Sequence, residues 1–86
     1  MKKIKMFILR GCPYCRQALE WQKELTDSDK RFSALDIELI DEREQPEIAE
    51  SFDYYYVPTY YVDGQKLHEG AATKEKIESV LLLALQ

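Results

Sequence analysis

The sequence predicts one small α/β domain spanning residues 1–86, with the element order β-α-β-α-β-β-α and a four-stranded mixed sheet flanked by helices. Three observations lead to this fold class. A nearly continuous apolar run ends at Leu9, a helical pattern begins near Tyr14, and Asp63-Gly64 separates two short strand-like runs. The strand–helix–strand unit should be right-handed with parallel strands, and the hairpin should add an antiparallel pair.

The first strand and the first helix flank a short break. Lys3–Leu9 is predicted as a central strand because an almost unbroken apolar run suits a strand that is covered on both faces. Arg10-Gly11 ends it, and Pro13 suits the first turn of a helix, where its missing N–H costs nothing. We expect the helix from Tyr14 to about Leu25, followed by a frayed end and loop over 26–31. Its apolar residues at helical spacing are Ala18, Leu19, Trp21 and Leu25.

The second half of the chain alternates short strands and short helices. Leu35–Ile40 alternates apolar and acidic residues, which predicts a half-exposed strand, and the charged loop Asp41–Gln45 follows it. Pro46 should begin a short helix. The strands Tyr60–Val62 and Gln65–His68 should pair across the Asp63-Gly64 turn. The last helix should be capped by Thr73 and carry an apolar face made of Ile77, Val80, Leu81, Ala84 and Leu85.

Charge and hydropathy narrow the classes of partner. The net charge is −4 and the basic residues are spread along the chain, so no basic face predicts a nucleic-acid or anionic-membrane partner. The apolar run Met6–Leu9 is shorter than the roughly 7–15 residues of a signal sequence. No segment approaches the roughly 20 apolar residues of a membrane-spanning helix. We therefore expect a cytoplasmic protein. We also expect it to be a monomer.

The only two cysteines, Cys12 and Cys15, lie in the stretch RGCPYC, which allows three interpretations. A disulfide staple would close a very short loop and stabilise the fold weakly, because the benefit grows with loop length. A closed structural zinc site needs about four Cys or His ligands, and the chain adds only His68. Two chains could share one metal ion or cluster. The third interpretation is a redox dithiol, for which C-x-x-C beside a βαβ pattern is the sequence cue.

The predicted layout favours the redox pair. Cys12 would lie at the start of the first helix and Cys15 one turn inside it. The free N–H groups and the dipole of a helix N-terminus stabilise a thiolate, and a thiolate is the attacking species in disulfide exchange. Cys12 is therefore the predicted nucleophile, with added positive potential from Arg10. Cys15 is predicted to resolve the mixed disulfide.

The motif Cys12-Pro13-Tyr14-Cys15, with Val57-Pro58 about 45 residues later, resembles the dithiol glutaredoxins of the thioredoxin superfamily. The resemblance covers about Ile4 to Leu85 and implies a thioredoxin-like fold in which the Val57–Pro58 bond is cis and faces the cysteines. It implies glutathione as a possible co-substrate and no tightly bound cofactor or metal. The implied substrate-binding residues are Arg10, Pro13, Tyr14, Tyr56, Val57, Pro58, Gly70 and Thr73.

The chain departs from the glutaredoxin pattern at three places. Leu9 stands where the family carries a basic residue for a glutathione carboxylate, and Tyr56 stands where it has Thr before Val-Pro. Glu69 lies where the family uses glycine, so it would repel a carboxylate there. Arg43 is an alternative contact for that carboxylate.

The resulting functional prediction is a thiol-disulfide oxidoreductase acting on protein disulfides or glutathione-mixed disulfides. Two alternatives remain open. The electron donor could be thioredoxin reductase or another reductase instead of glutathione, or the chain could carry a metal ion or iron–sulfur cluster bridged by Cys12 between two copies.

Overall fold

The sheet is built around its first strand. In the computed structural model, which describes all residues from Met1 to Gln86, this strand pairs in parallel with the second strand and antiparallel with the third. The fourth strand pairs antiparallel with the third, which gives the order β2-β1-β3-β4. The predicted α/β class and mixed sheet are confirmed. The strands are β1 (Ile4–Ile8), β2 (Ile37–Asp41), β3 (Thr59–Val62) and β4 (Gln65–Glu69).

Four helices cover the two faces of this sheet. They are α1 (Pro13–Ser28), α2 (Lys30–Ser33), α3 (Pro46–Glu50) and α4 (Lys74–Ala84). None of them combines the length and the apolar character that crossing a lipid bilayer requires.

The larger core lies between the sheet and helices α1, α2 and α4. Alternate residues of β1 point into it, because successive side chains of a strand face opposite sides. Tyr60 is fully buried there, and its hydroxyl donates to Gln22 Oε1 at 2.8 Å, so its polar end is satisfied. Cys15 belongs to the same cluster, which fixes the N-terminal part of α1 against the sheet. The β1 residues in this core are Ile4, Met6 and Ile8.

The smaller core lies on the opposite face, beneath α3. Phe7 is at its centre, with ring centroids 4.9 Å from Phe52, 4.8 Å from Tyr54 and 5.8 Å from Tyr61. Tilted and edge-on aromatic pairs of this kind contribute beyond the area that they bury. The cluster anchors the chain just before the Val57–Pro58 bond.

Some element boundaries differ from the sequence prediction. Helix α1 continues to Ser28 instead of ending near Leu25, and α2 forms where a loop was expected. Asp29 begins α2 by accepting from the Arg31 N–H at 2.9 Å, and the buried Phe32 fastens it to the core. The sequence predicts a loop here because the segment is mostly polar, so both the longer α1 and the short α2 were missed.

The second strand also differs from its prediction. It begins at Ile37 instead of Leu35, and Leu39 is exposed while Ile40 is fully buried. As β2 is an edge strand, the larger core reaches only its first part, and Ile40 packs under α3. Thr73 caps α4 as predicted, accepting from the Lys76 N–H at 3.1 Å.

The leucine run of α4 provides a test of this packing. Leu81 is fully buried, whereas Leu82 is 41% exposed. Leu81→Ala should lower the free energy of unfolding by about 2–5 kcal/mol, because it leaves a cavity in the larger core. Leu82→Ala is the matched control and should lower it by about 1 kcal/mol or less. Urea denaturation of the two variants measures both values, and equal losses would contradict this packing.

Candidate active site

The turn between β1 and α1 places the two cysteines. Gly11 adopts φ +91°, a conformation that residues with a Cβ rarely adopt, and the Cys12 N–H donates to the Leu9 carbonyl at 3.1 Å. Cys12 is the N-cap of α1 and Pro13 is its first residue. Both cysteines are free thiols. The turn therefore places both cysteines close to the end of the central strand β1.

Cys12 occupies the position that stabilises a thiolate. Its side chain is half-buried, and the Cys15 N–H in the first turn of α1 is the largest cause that lowers its pKa. The Cys15 thiol and the Tyr14 N–H lower the pKa further, while partial burial and the charge of Glu42 oppose them. These amides have no helical carbonyl partners, so their positive ends favour a charged sulfur at the cap. Cys12 is thus the more acidic thiol.

Cys15 has the opposite character. It is only 3% exposed, and burial is the largest cause that raises its pKa to about 11. The Leu9 N–H opposes this shift. The Cys12 thiolate adds to it, both by accepting the Cys15 S–H and by its charge. The pKa values of the two neighbouring thiols are therefore shifted in opposite directions, that of Cys12 downward and that of Cys15 upward.

A buried carboxylate holds the turn from the neighbouring strand. Asp41 is 5% exposed and accepts from the Arg10 N–H at 3.0 Å and from the Arg43 N–H at 2.8 Å. These N–H donors, first that of Arg43, hold the pKa of Asp41 below its usual value. The sequence placed Asp41 in a solvated loop, because nothing local indicates that its partner lies 31 residues away. Asp41 ties the end of β2 to the residue two positions before Cys12.

The Arg10 side chain is paired with carboxylates. Its Nε lies 3.7 Å from Asp41 Oδ2, and a terminal nitrogen lies 3.5 Å from Glu44 Oε2. The side chain is 77% exposed. The predicted positive potential of Arg10 is therefore largely offset by these two acids.

The Val57–Pro58 bond is cis and lies at the same edge of the sheet as the cysteines. Phe7 of β1 pairs with Thr59 of β3, so Pro58 is level with the end of β1. The Pro58 carbonyl accepts from the Gly70 N–H at 2.8 Å, and the Thr59 hydroxyl donates to the Tyr56 carbonyl. The Val57 N–H and C=O form no hydrogen bond within the chain. They remain available for an extended substrate.

Glu69 fastens the segment before the cis proline. Its Oε2 accepts from the Tyr55 and Tyr56 N–H groups, and its Oε1 lies 2.8 Å from Lys66 Nζ. Lys66, followed by these two amides, lowers the pKa of Glu69 to about 2. The sequence indicated only that this acid would repel an anionic ligand. In the structure this acid holds the segment that precedes the cis proline.

The remaining predicted contact residues divide into two groups. Gly70 adopts φ +91° and its carbonyl accepts from His68 Nε2 at 3.0 Å, while the Thr73 hydroxyl is engaged in capping α4. His68 thus orders the turn that follows β4. The exposed group contains Tyr14, which is 62% exposed, and Tyr56, which is 70% exposed.

A small hollow of about 190 Å³ lies beside the cysteines on the α1 side. Leu9 and both sulfur-bearing residues line it. A larger groove of about 540 Å³ lies beside α3 and contains no cysteine.

The pKa of Cys12 determines how fast it reacts at a given pH. Only the thiolate is alkylated, so the rate should rise with pH and reach its midpoint below the ordinary value of 9.0. Iodoacetamide modification of the Cys15→Ser variant, which leaves a single thiol, measures this midpoint across pH. Cys15→Ala should shift the midpoint upward, because it removes a donor that Ser retains. A midpoint at or above 9.0 in Cys15→Ser would contradict the assignment.

Asp41 should affect the pKa of Cys12, because it holds the turn between β1 and α1. Asp41→Asn removes one of its two acceptor oxygens, so the turn loosens and the hydrogen bonds to the Cys12 sulfur weaken. We expect the Cys12 midpoint to rise and its alkylation at neutral pH to slow several-fold. Asp63→Asn is the matched control, since Asp63 accepts from the Lys3 N–H at 3.2 Å at the far end of β1. An unchanged or lower midpoint in Asp41→Asn would show that Asp41 does not position Cys12.

Comparison with known proteins identifies the family. The sequence profile of one family, described as "Thioredoxin domain", matches residues 2–82. No curated protein matches the sequence. Among solved structures, the chain is similar to the oxidised thioredoxin from Plasmodium falciparum, with a TM-score of 0.75 and 17% sequence identity over 99% of this chain and 82% of that one. The fold is therefore the α/β thioredoxin fold, which supports a general disulfide oxidoreductase, and the chain belongs to the thioredoxin-domain family.

Proposed function

We propose that this protein is a glutaredoxin-like thiol-disulfide oxidoreductase in which Cys12 attacks a protein disulfide or a glutathione-mixed disulfide. The observation that carries the proposal is the pairing of a half-buried Cys12 at the start of α1 with a buried Cys15 one turn inside it. The cis Val57–Pro58 bond at the same edge of the sheet supports it.

The reaction begins with the Cys12 thiolate. It attacks one sulfur of the substrate disulfide, so a Cys12–substrate disulfide forms, and the other substrate sulfur leaves as a thiolate that takes up a proton. Cys15 then loses its proton and attacks the Cys12 sulfur. The Cys12–Cys15 disulfide forms and the second substrate sulfur is released as a thiol. Two electrons pass from the dithiol to the substrate.

The surroundings of Cys15 assist the second step. While Cys12 is a thiolate, its charge and the hydrogen bond that it accepts both raise the pKa of Cys15. Both influences end when Cys12 becomes part of a mixed disulfide, and burial and the charge of Glu42 continue to disfavour ionisation. The resolving thiol therefore becomes more acidic at the stage at which it must attack.

The free backbone groups of Val57 would align the substrate. An extended segment that pairs with the Val57 N–H and C=O adds a short strand beside the cysteines. The polar groups of Tyr56 are already engaged, its N–H with Glu69 and its carbonyl with Thr59, so Val57 is the pairing point in this segment. A reducing compartment such as the cytoplasm would keep both thiols in the attacking form.

Glutathione is one candidate donor for regenerating the dithiol, and a flavin-dependent reductase is another. Glu69 already uses its carboxylate within the chain, and the Thr73 hydroxyl caps α4. Binding of glutathione would therefore depend on backbone N–H groups near Gly70 and the start of α4. A coupled assay with glutathione and glutathione reductase, run beside one with thioredoxin reductase, distinguishes the donors.

Trapping tests the order of the two cysteines. Cys15→Ser should accumulate a stable disulfide between Cys12 and a disulfide-bonded protein, because nothing resolves it. Cys12→Ser should form no such adduct and should lose activity by at least about a hundredfold, since the acidic thiol is gone. Non-reducing gels and intact mass measure the adducts. An adduct on Cys15 in the Cys12→Ser variant, at a rate equal to that of Cys15→Ser, would reverse the assignment.

A further inference from the structure

The groove beside α3 is lined by apolar, aromatic and acidic residues and has a volume of about 540 Å³. We call Pro46, Ala49 and Phe52 its floor, and Tyr54 and Tyr55 its wall. Tyr55 is 86% exposed and two residues from Val57. An exposed aromatic side chain beside an apolar hollow is typical of a recognition surface.

The wall of the groove is held in place before any partner arrives. The Tyr54 hydroxyl donates to Glu42 Oε1 at 3.0 Å, and the Tyr55 N–H donates to Glu69. The Asp53 carbonyl accepts from the Tyr61 hydroxyl at 2.6 Å. A groove fixed in this way loses little conformational entropy when it is filled.

The groove carries negative charge that the chain does not neutralise. Glu42, Glu50 and Asp53 line it, and none of the three forms an ion pair. Lys66 Nζ lies 2.8 Å from Glu69 and donates to the Asp53 backbone carbonyl at 3.2 Å, so it reaches the groove without pairing with a carboxylate that lines it. The Glu42 N–H donates to the Ile8 carbonyl at 3.0 Å, which places this groove residue beside the end of β1 that leads to Cys12. The charge of Glu42 accordingly raises the pKa of both cysteines.

We propose that this groove binds a lysine or arginine side chain of the protein whose disulfide is reduced. Such a side chain has an apolar stem that suits the floor and a cationic end that suits the three carboxylates and the face of Tyr55. A second copy of this chain is a poor occupant, because each copy carries a net charge of −4. The inference rests on the proposed function and names the class of substrate that the site selects.

The test uses short peptides whose single cysteine is joined to 2-pyridyl thiol in a mixed disulfide. Reduced protein releases the peptide thiol and the coloured pyridine-2-thione, and the Cys12–Cys15 disulfide forms without any external donor. The peptides differ at one residue, which is lysine, glutamine or glutamate. The number of residues between it and the cysteine is varied across the set. We expect the best lysine peptide to react about three- to tenfold faster than its glutamine counterpart at low salt. The preference should shrink as salt screens the charges.

Two double variants, each of which removes two negative charges, test whether the lysine side chain binds in the groove. Glu50→Gln with Asp53→Asn should bring the rates of the lysine and glutamine peptides together. Glu20→Gln with Glu78→Gln removes two exposed acids from α1 and α4, and it should retain the preference of the wild type. The mixed disulfide of 2-mercaptoethanol with 2-pyridyl thiol, which cannot reach the groove, should react equally with all three proteins.

Each outcome separates the two proposals. Equal rates for lysine and glutamine peptides in the wild type, or equal loss of preference in both double variants, would overturn the groove assignment. If the second-order rate constant of the wild type falls as protein concentration rises, a second copy occupies the groove. That result would also overturn the groove assignment. Failure to reduce the small mixed disulfide would instead contradict the proposed oxidoreductase function.

Discussion

The placement of Cys12 at the N-cap of α1 is the constraint on which the geometry of the site depends. It requires the chain to leave β1, pass through Gly11 at φ +91° and enter the helix at Pro13. Asp41 holds the exit from β1 from the neighbouring strand, and the burial of Cys15 holds the first turn of the helix. Cys12 is thereby kept beside the first free amides of α1, which lower the pKa of its thiol.

The cores on the two faces of the sheet hold different parts of the site in place. On one face, Met6 and Cys15 share a core that fixes the position of α1. On the other, Phe7 packs with Phe52 and Tyr54 and so fixes the segment leading to the cis proline. Both cores meet at β1, because its successive residues face opposite sides. The two cysteines and the segment that leads to the cis proline are therefore positioned against the same central strand by separate sets of contacts.

The parts of the site that the sequence predicted are those that depend on local pattern. The spacing of Cys12 and Cys15 after an apolar strand was sufficient to place them at a helix start. The roles of Asp41 and Glu69 were missed, because their partners lie 31 and 13–14 residues away and any loop acid looks alike in sequence. Helix α2 was missed for a similar reason, as its anchor Phe32 contacts a core that the segment's polar composition does not indicate.

The site combines two kinds of electrostatic effect with different ranges. The pKa of Cys12 is lowered by the Cys15 and Tyr14 amides and by the Cys15 thiol, which act over short distances that salt screens little. Glu42 acts on both thiols through space and in the opposite direction, so the amides must outweigh it for the pKa of Cys12 to fall. Charges exposed to solvent are screened within about 10 Å at 0.1 M salt. Rising salt would therefore weaken the attraction of a cationic partner while leaving the nucleophile reactive, which separates substrate selection from chemistry.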